Sequence, residues 1–221
     1  MYRLIYFFGP DGTGKTTHAD LVASKLRQRG YKVWRASVKQ HHTVAYLLLK
    51  IINADSYSRQ TITYYGFNNE LASKIRRIWK VVEFLGLFPA LLNRVYLPLL
   101  LSHIVVCDRY VLDTIVTLSY FLKEPRLVSS IPARILLKLI PKKSLLVHFD
   151  ADTEVIMLRK QDEPLTVELV SYYRRMYALV LNIYGLNVEK INTTDIPIED
   201  VQEKINQLLS ETLNGKINFN S

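Results

Sequence analysis

The run Gly9-Pro10-Asp11-Gly12-Thr13-Gly14-Lys15-Thr16-Thr17 combines residue types that can hold a chain of phosphates. It fits G-x-x-x-x-G-K-[ST], with Gly9 first, Gly14 sixth, and Lys15 and Thr16 closing the pattern. Glycines let the backbone curl until successive N–H groups point inward at phosphate oxygens. Lys15 adds a point charge able to follow the outer phosphates, and the Thr16 hydroxyl is a ligand type for Mg2+. A second candidate is Asp108, which ends the apolar run His103-Ile104-Val105-Val106-Cys107. A carboxylate there can hold the same metal, directly or through water, or can simply shape a turn.

Such a loop works only between a strand and a helix, and the sequence provides both. Tyr2 to Phe8 is aromatic and branched, as a buried strand is. After the loop, Ala19, Val22, Ala23 and Leu26 recur at helical spacing until Gly30. That helix offers its free N–H groups and positive dipole end to the same anion.

Further along, Tyr31 to Ser37 reads as a second strand, and Val38 to His42 as a loop. His41-His42 has no neighbouring ligand to complete a metal set, and Thr43 can cap a helix through Lys50. From Thr61 to about Leu101 the pattern is helical, with Leu71, Ile75, Ile78, Val82 and Leu85 in step and breaks expected at Gly86 and Pro89. Tyr64, Tyr65 and Phe67 are core or one wall of a base-binding slot. Asp108 closes the third strand, and a helix with Leu112, Ile115 and Val116 runs to Pro125. Ile131 to Ile140 is a short helix, and Ser144 to Asp150 a fourth strand in which His148 should be a hydrogen-bonded core residue. Asp152 or Thr153 caps a helix leading into Arg159-Lys160-Gln161-Asp162-Glu163-Pro164. Thr166 caps a long helix with Val170, Tyr173, Tyr177, Val180 and Tyr184 inward and Gly185 at its end. Leu186 to Ile191 is a fifth strand, and a last helix carries Val201, Ile205 and Leu209. Strands alternate with helices and no repeat interrupts them, which predicts one α/β domain on a parallel sheet.

Composition sets the bounds. Of 221 residues, 49% are hydrophobic and 22% charged, which excludes a disordered chain. The single cysteine, Cys107, rules out an internal disulfide and a cysteine zinc site, and fits a reducing, cytoplasmic setting. No signal peptide is expected, because strand-like sequence begins at once. The net charge of +9 is spread out, so it reads as a solvated basic surface with no nucleic acid expected as partner. The apolar segment Ile78–Cys107 is broken by Lys80, Glu83, Arg94, Pro89 and Pro98. No uncharged run in it reaches the ~18 residues of a spanning helix, so buried helices are expected rather than a membrane span.

Together, the glycine-rich loop and Asp108-Arg109-Tyr110 resemble the thymidylate kinase family of nucleoside monophosphate kinases. Its members carry G-x-D-G-x-G-K-[ST]-T and a downstream D-R-Y after a buried strand. Leu158 to Glu163 stands where the family has its lid. The resemblance implies a three-layer P-loop NTPase fold with a five-stranded parallel sheet in the order 2-3-1-4-5. It implies one domain over residues 1–214, a short lid near 159–165 and a frayed tail at 215–221. It further implies ATP and Mg2+ as cofactors, a nucleotide substrate, and transfer of phosphate to a nucleoside monophosphate, thymidine monophosphate by default. A homodimer is compatible with it.

Residue roles follow from the same resemblance. Gly9, Gly12, Thr13, Gly14, Lys15, Thr16 and Thr17 would surround the donor phosphates, with Thr16 and Asp108 on the metal. Asp11 would face the acceptor's sugar and the metal, and Arg109 would hold the acceptor phosphate, with Tyr110 beside it. Phe67 or Tyr65 would stack on the acceptor base, and Arg35 would stand on the acceptor side after the second strand. Arg159, with Lys160, would close over the transferring phosphate, and the Asn192–Asp195 loop, Thr194 included, would lie against adenine.

The chain departs from the family on the acceptor side. Phe8 precedes the loop where an acid is usual, and Arg35-Ala36-Ser37 replaces Arg-Glu-Pro. Only the aromatic of Phe-x-Ala-x-Arg survives, at Phe67, and D-R-Y runs on into Val111-Leu112-Asp113. Another acceptor, such as a nucleoside or a different small molecule, and a nucleotide-binding regulator with little turnover therefore stay open.

Overall fold

The computed structural model describes residues 3–38, 69–163 and 165–213. The expected loop at His41-His42, the helix from Thr43 and the aromatics Tyr64, Tyr65 and Phe67 lie outside the described residues. So does the tail 215–221.

Five parallel strands form the centre, β1 (Leu4–Phe8), β2 (Val33–Ala36), β3 (Ile104–Cys107), β4 (Ser144–Asp150) and β5 (Glu189–Asn192), in the order β2-β3-β1-β4-β5. This is the order implied by the resemblance. The helices are α1 (Lys15–Gln28), α2 (Asn69–Leu91), α3 (Leu97–Leu100), α4 (Val111–Phe121), α5 (Ile131–Lys138), α6 (Thr153–Arg159), α7 (Val167–Tyr184) and α8 (Ile198–Leu213). Every residue of β1 is buried, as a strand covered on both faces must be. Leu4, Tyr6 and Phe8 point to one layer, with α2, α4, α5 and α7. Ile5 and Phe7 point to the other, with α1 and α8. The period of two in a strand assigns these neighbours to opposite layers and makes the architecture three-layered.

Local chemistry accounts for most boundaries. Gly30 takes φ +84° just beyond α1. Thr166 Oγ1 accepts from Leu169 N at 3.2 Å and starts α7, and Gly185 ends it at φ 55°.

Two expectations need correction. The breaks at Gly86 and Pro89 do not occur: α2 runs through both to Leu91 and continues by a π-turn (Leu92–Tyr96) into α3. Proline removes one backbone donor, and the following wide turn re-forms the ladder while Leu87, Leu91, Val95 and Leu99 stay in the core. The segment also buries one face only, since Ile78 and Leu85 are 69% and 64% exposed while Phe84 and Glu83 are buried. Lys80–Leu100 is long and apolar enough to cross a membrane, yet one side of it packs into the domain core, and Lys80 is paired with Glu124 at 2.8 Å.

His148 is the second correction. It is buried between Phe8 and Tyr177, with ring centroids at 5.1 and 5.7 Å, but Nε2 has no hydrogen-bond partner among the described residues. Burial pushes its pKa down to about 4, so the ring is held neutral by desolvation instead of by a bond.

Candidate active site

Strand order reverses at β1, which lies between β3 and β4. In open parallel sheets, ligands bind at the carboxyl ends of the strands beside such a reversal. The loop after β1, Asp108 after β3 and Thr193 after β5 all lie at this edge.

The loop is held tightly from below. A Cβ on Gly9, at φ +138°, would stand 2.0 Å from the Phe149 carbonyl oxygen, so only glycine lets β4 approach. Thr13 Oγ1 donates to the Pro10 carbonyl at 2.8 Å, closing the turn. Gly14 caps α1 with no side-chain bond, so the first-turn N–H groups are left to the cavity. Lys15 is buried and its ammonium donates to the Pro10 carbonyl at 2.6 Å and to Asp11 Oδ1 at 3.4 Å. Burial lowers its pKa, an effect that the Asp11 carboxylate opposes.

Asp11 is the junction. Arg109 Nη2 also donates to Asp11 Oδ1, while the buried Arg109 Nε makes no hydrogen bond among the described residues. Burial would raise the Asp11 carboxyl, but Lys15, Arg109 and Lys160 outweigh it and hold it below its ordinary value. One carboxylate thus anchors the loop lysine and the Asp-Arg-Tyr arginine on the same atom.

Thr16 and Asp108 meet at the foot of the loop. Thr16 Oγ1 donates to Asp108 Oδ2 at 2.7 Å. Two hard oxygens side by side suit Mg2+, which takes one or two protein oxygens and completes its shell with phosphate and water. Among the described residues no cluster of three His, Cys, Asp or Glu side chains offers another metal cage. Arg35 braces the acid from behind, Nη1 to Oδ1 and Nη2 to Oδ2, both at 3.2 Å. Burial would raise the Asp108 carboxyl, but its bonds to Arg35 and Thr16 hold it lower.

Above the loop lies a cavity of about 480 Å³. Asp11 and Gly12 to Thr17 line it with His18, Arg109, Arg159, Lys160, Thr193, Ile196, Ile198 and Val201. Arg159 donates from Nη2 to the Thr193 carbonyl at 2.7 Å and from Nη1 to Thr193 Oγ1 at 3.0 Å. It also reaches the Gly12 carbonyl at 3.4 Å, so it joins the loop to the end of β5. Lys160 covers Gly12, where a Cβ would meet its Cγ at 3.1 Å, and its ammonium donates to Glu163.

The expected residues divide accordingly. Asp11, Gly12, Thr13, Gly14, Lys15, Thr16, Thr17, Arg109 and Arg159 come together in one cavity. Gly9 lies beneath it, and Asp108 bonds to its floor. Three others are elsewhere. Tyr110 is fully buried with its hydroxyl on the Leu139 carbonyl at 3.1 Å, because the N-cap of α4 turns the ring into the core. Arg35 is engaged by Asp108, by Asp20 at 2.7 Å and by the Ala36 and Val106 carbonyls. Thr194 accepts from Asp152 N at 2.8 Å, and its neighbour Thr193 takes the cavity position instead. Phe67 lies outside the described residues.

Sequence reading placed the Asn192–Asp195 loop here but singled out Thr194 instead of Thr193, and it missed His18 and the apolar wall Ile196, Ile198 and Val201. Their only signal is proximity to a strand end or to the loop, which a chain read linearly does not rank.

A glycine-rich loop at the reversal point of a 2-3-1-4-5 parallel sheet, with an acid from β3 bonded to its threonine, defines a P-loop nucleotide-binding protein of the kinase type. More narrowly, the chain belongs to the thymidylate kinase family, whose family model matches residues 7–205. It is similar to the probable thymidylate kinase of Archaeoglobus fulgidus, 27% identical over 98% of this chain and all of that protein. It is also similar to the thymidylate kinase of Caldicellulosiruptor saccharolyticus, 24% identical over 96% of this chain and 97% of that one.

Proposed function

We propose that this protein is an ATP-dependent nucleoside monophosphate kinase of the cytoplasm, with thymidine monophosphate as its first-choice acceptor. One observation carries the reading. Among the described residues, four cations, Lys15, Arg109, Arg159 and Lys160, line the cavity beside one carboxylate, Asp11. Such an excess over a phosphate-binding turn suits a donor polyphosphate and a second, phosphorylated substrate together. The names of both relatives support thymidylate as the acceptor.

The chemistry then follows from position. The loop N–H groups and Lys15 hold the outer donor phosphates in place. Thr16 and Asp108 would hold Mg2+, which when bound neutralises charge on the phosphate oxygens. Arg109, whose Nε has no partner among the described residues, grips the acceptor phosphate by its planar fork. An acceptor phosphate oxygen attacks the terminal donor phosphorus, the bond to the bridging oxygen breaks, and the diphosphate leaves. Residues 1–214 act as one domain, and 159–165 serve as a short lid whose Lys160 reaches the transferring group.

A different acceptor is the second reading. It is favoured by Arg35, which is tied to Asp108 and Asp20 instead of facing a substrate. A coupled assay tests both, with ATP and either thymidine monophosphate, thymidine or other nucleoside monophosphates. Turnover with thymidine monophosphate, abolished in Lys15→Ala, is expected. Turnover with thymidine alone, or with no nucleotide acceptor at all, overturns the proposal.

A further inference from the structure

We infer that His18 reads the nucleoside of the phosphate donor, its Nε2 accepting a hydrogen bond from a sugar hydroxyl or a base amino group. This rests on the phosphate-donor reading of the cavity given above.

His18 lies on α1 directly after Thr17 and lines the cavity with Ile196, Ile198 and Val201. It is 3% exposed, and its ring stacks on Phe149 with centroids 5.5 Å apart and planes 25° apart. The stack fixes the plane of the ring, and a relay on α8 fixes its proton. Gln202 Nε2 donates to Asn206 Oδ1 at 3.4 Å, which turns Gln202 Oε1 toward His18 Nδ1 at 3.0 Å. An amide oxygen can only accept, so Nδ1 carries the hydrogen and Nε2 carries a lone pair. Burial holds the imidazole below its ordinary pKa, opposed by the Gln202 bond, and keeps the ring neutral.

The Cδ2–Nε2 edge faces Gly14, where a Cβ would stand 3.4 Å from Cδ2 and 3.7 Å from Nε2. This places an acceptor at the rim of the phosphate loop, on the side walled by isoleucine and valine. Nε2 is thus an acceptor on the wall of the cavity, and a donor on a bound ligand can meet it. Phosphate cannot be that partner, because its oxygens also accept. The uncharged part of a donor nucleotide is the next group outward from the loop, and it carries donors of two kinds.

Titration calorimetry of the full chain with ADP, 2′-deoxyADP, 3′-deoxyADP and IDP tests the inference. The deoxy compounds lack one sugar hydroxyl each, and IDP lacks the base amino group. At least one of them should bind about 3- to 10-fold more weakly than ADP, the worth of one hydrogen bond. Which one does so identifies the group read. In His18→Phe, which keeps the ring stack, that difference should vanish. In Gln202→Leu, which frees the tautomer without touching the ligand, it should shrink. Equal binding of all four nucleotides by the wild type, or a preference that survives in both variants, overturns the inference. If ADP binds and Lys15→Ala weakens it, the donor reading stands whatever His18 does. If ADP does not bind, both fall together.

Discussion

Thr16 Oγ1 donates to Asp108 Oδ2 at 2.7 Å across 92 residues of chain, joining the first turn of α1 to the end of β3. The loop and the acid are thereby one unit, and metal chemistry should fail when either member is changed. Asp108→Asn should keep nucleotide binding measured without Mg2+ and lose about 10²- to 10³-fold in Mg2+-dependent turnover. A magnesium titration of initial rates on wild type and variant checks this.

Arg159 and Lys160 are adjacent and both stand at Gly12, but their partners differ. The Arg159 guanidinium rests on Thr193 and Gly12, while the field of Lys160 reaches Asp11. Arg159→Ala should raise the KM for ATP about 5- to 10-fold with a smaller change in kcat. Lys160→Ala should do the reverse, because a charge needed mainly in the transition state lowers kcat. Steady-state kinetics with ATP varied at saturating acceptor separates the two.

Arg109→Ala removes the cation that shares Asp11 with Lys15. The KM for a phosphorylated acceptor should rise by about 10²-fold, the loss of a charge-assisted pair of bonds, while ATP affinity changes little. Arg109→Lys should recover only part of the loss, since an ammonium cannot make the two-point contact. Acceptor-varied kinetics on both variants gives the comparison.

Gly9→Ala is expected to unfold the loop region, because its Cβ would overlap the Phe149 carbonyl and its φ of +138° suits no other residue. The cost should be roughly 3 kcal/mol or more. Urea denaturation of Gly9→Ala beside Gly185→Ala, which meets nothing within 4 Å, measures it.

His148 should make the fold acid-sensitive. Its folded pKa of about 4 lies below the ordinary 6.5, so its neutral form is favoured on folding. The contribution is present above pH 6.5 and is lost as pH falls from there toward 4. His148→Phe fills the slot between Phe8 and Tyr177 and should remove a loss on the order of 2–3 kcal/mol across that window. Chemical denaturation at intervals from pH 7 to pH 4 reads the difference.

The sequence by itself determined whatever depends on neighbours in the chain. The glycine spacing of residues 9–14, the apolar run of β1, the threonine cap of α7 and the glycines after α1 and α7 are local and were legible. Parallel strands buried on both faces read as continuous apolar runs, and so β3 and β4 could be read too. Tertiary structure decided what depends on residues far apart. Pro89 does not end α2, because packing one face into the core outweighs the proline's local cost of about 3 kcal/mol. Tyr110 turns inward, Arg35 is drawn to Asp108, and Thr193 rather than Thr194 reaches the cavity. In each case one residue of register or one helix cap sets which side chain faces the ligand edge. Only the packed sheet and its layers fix that choice.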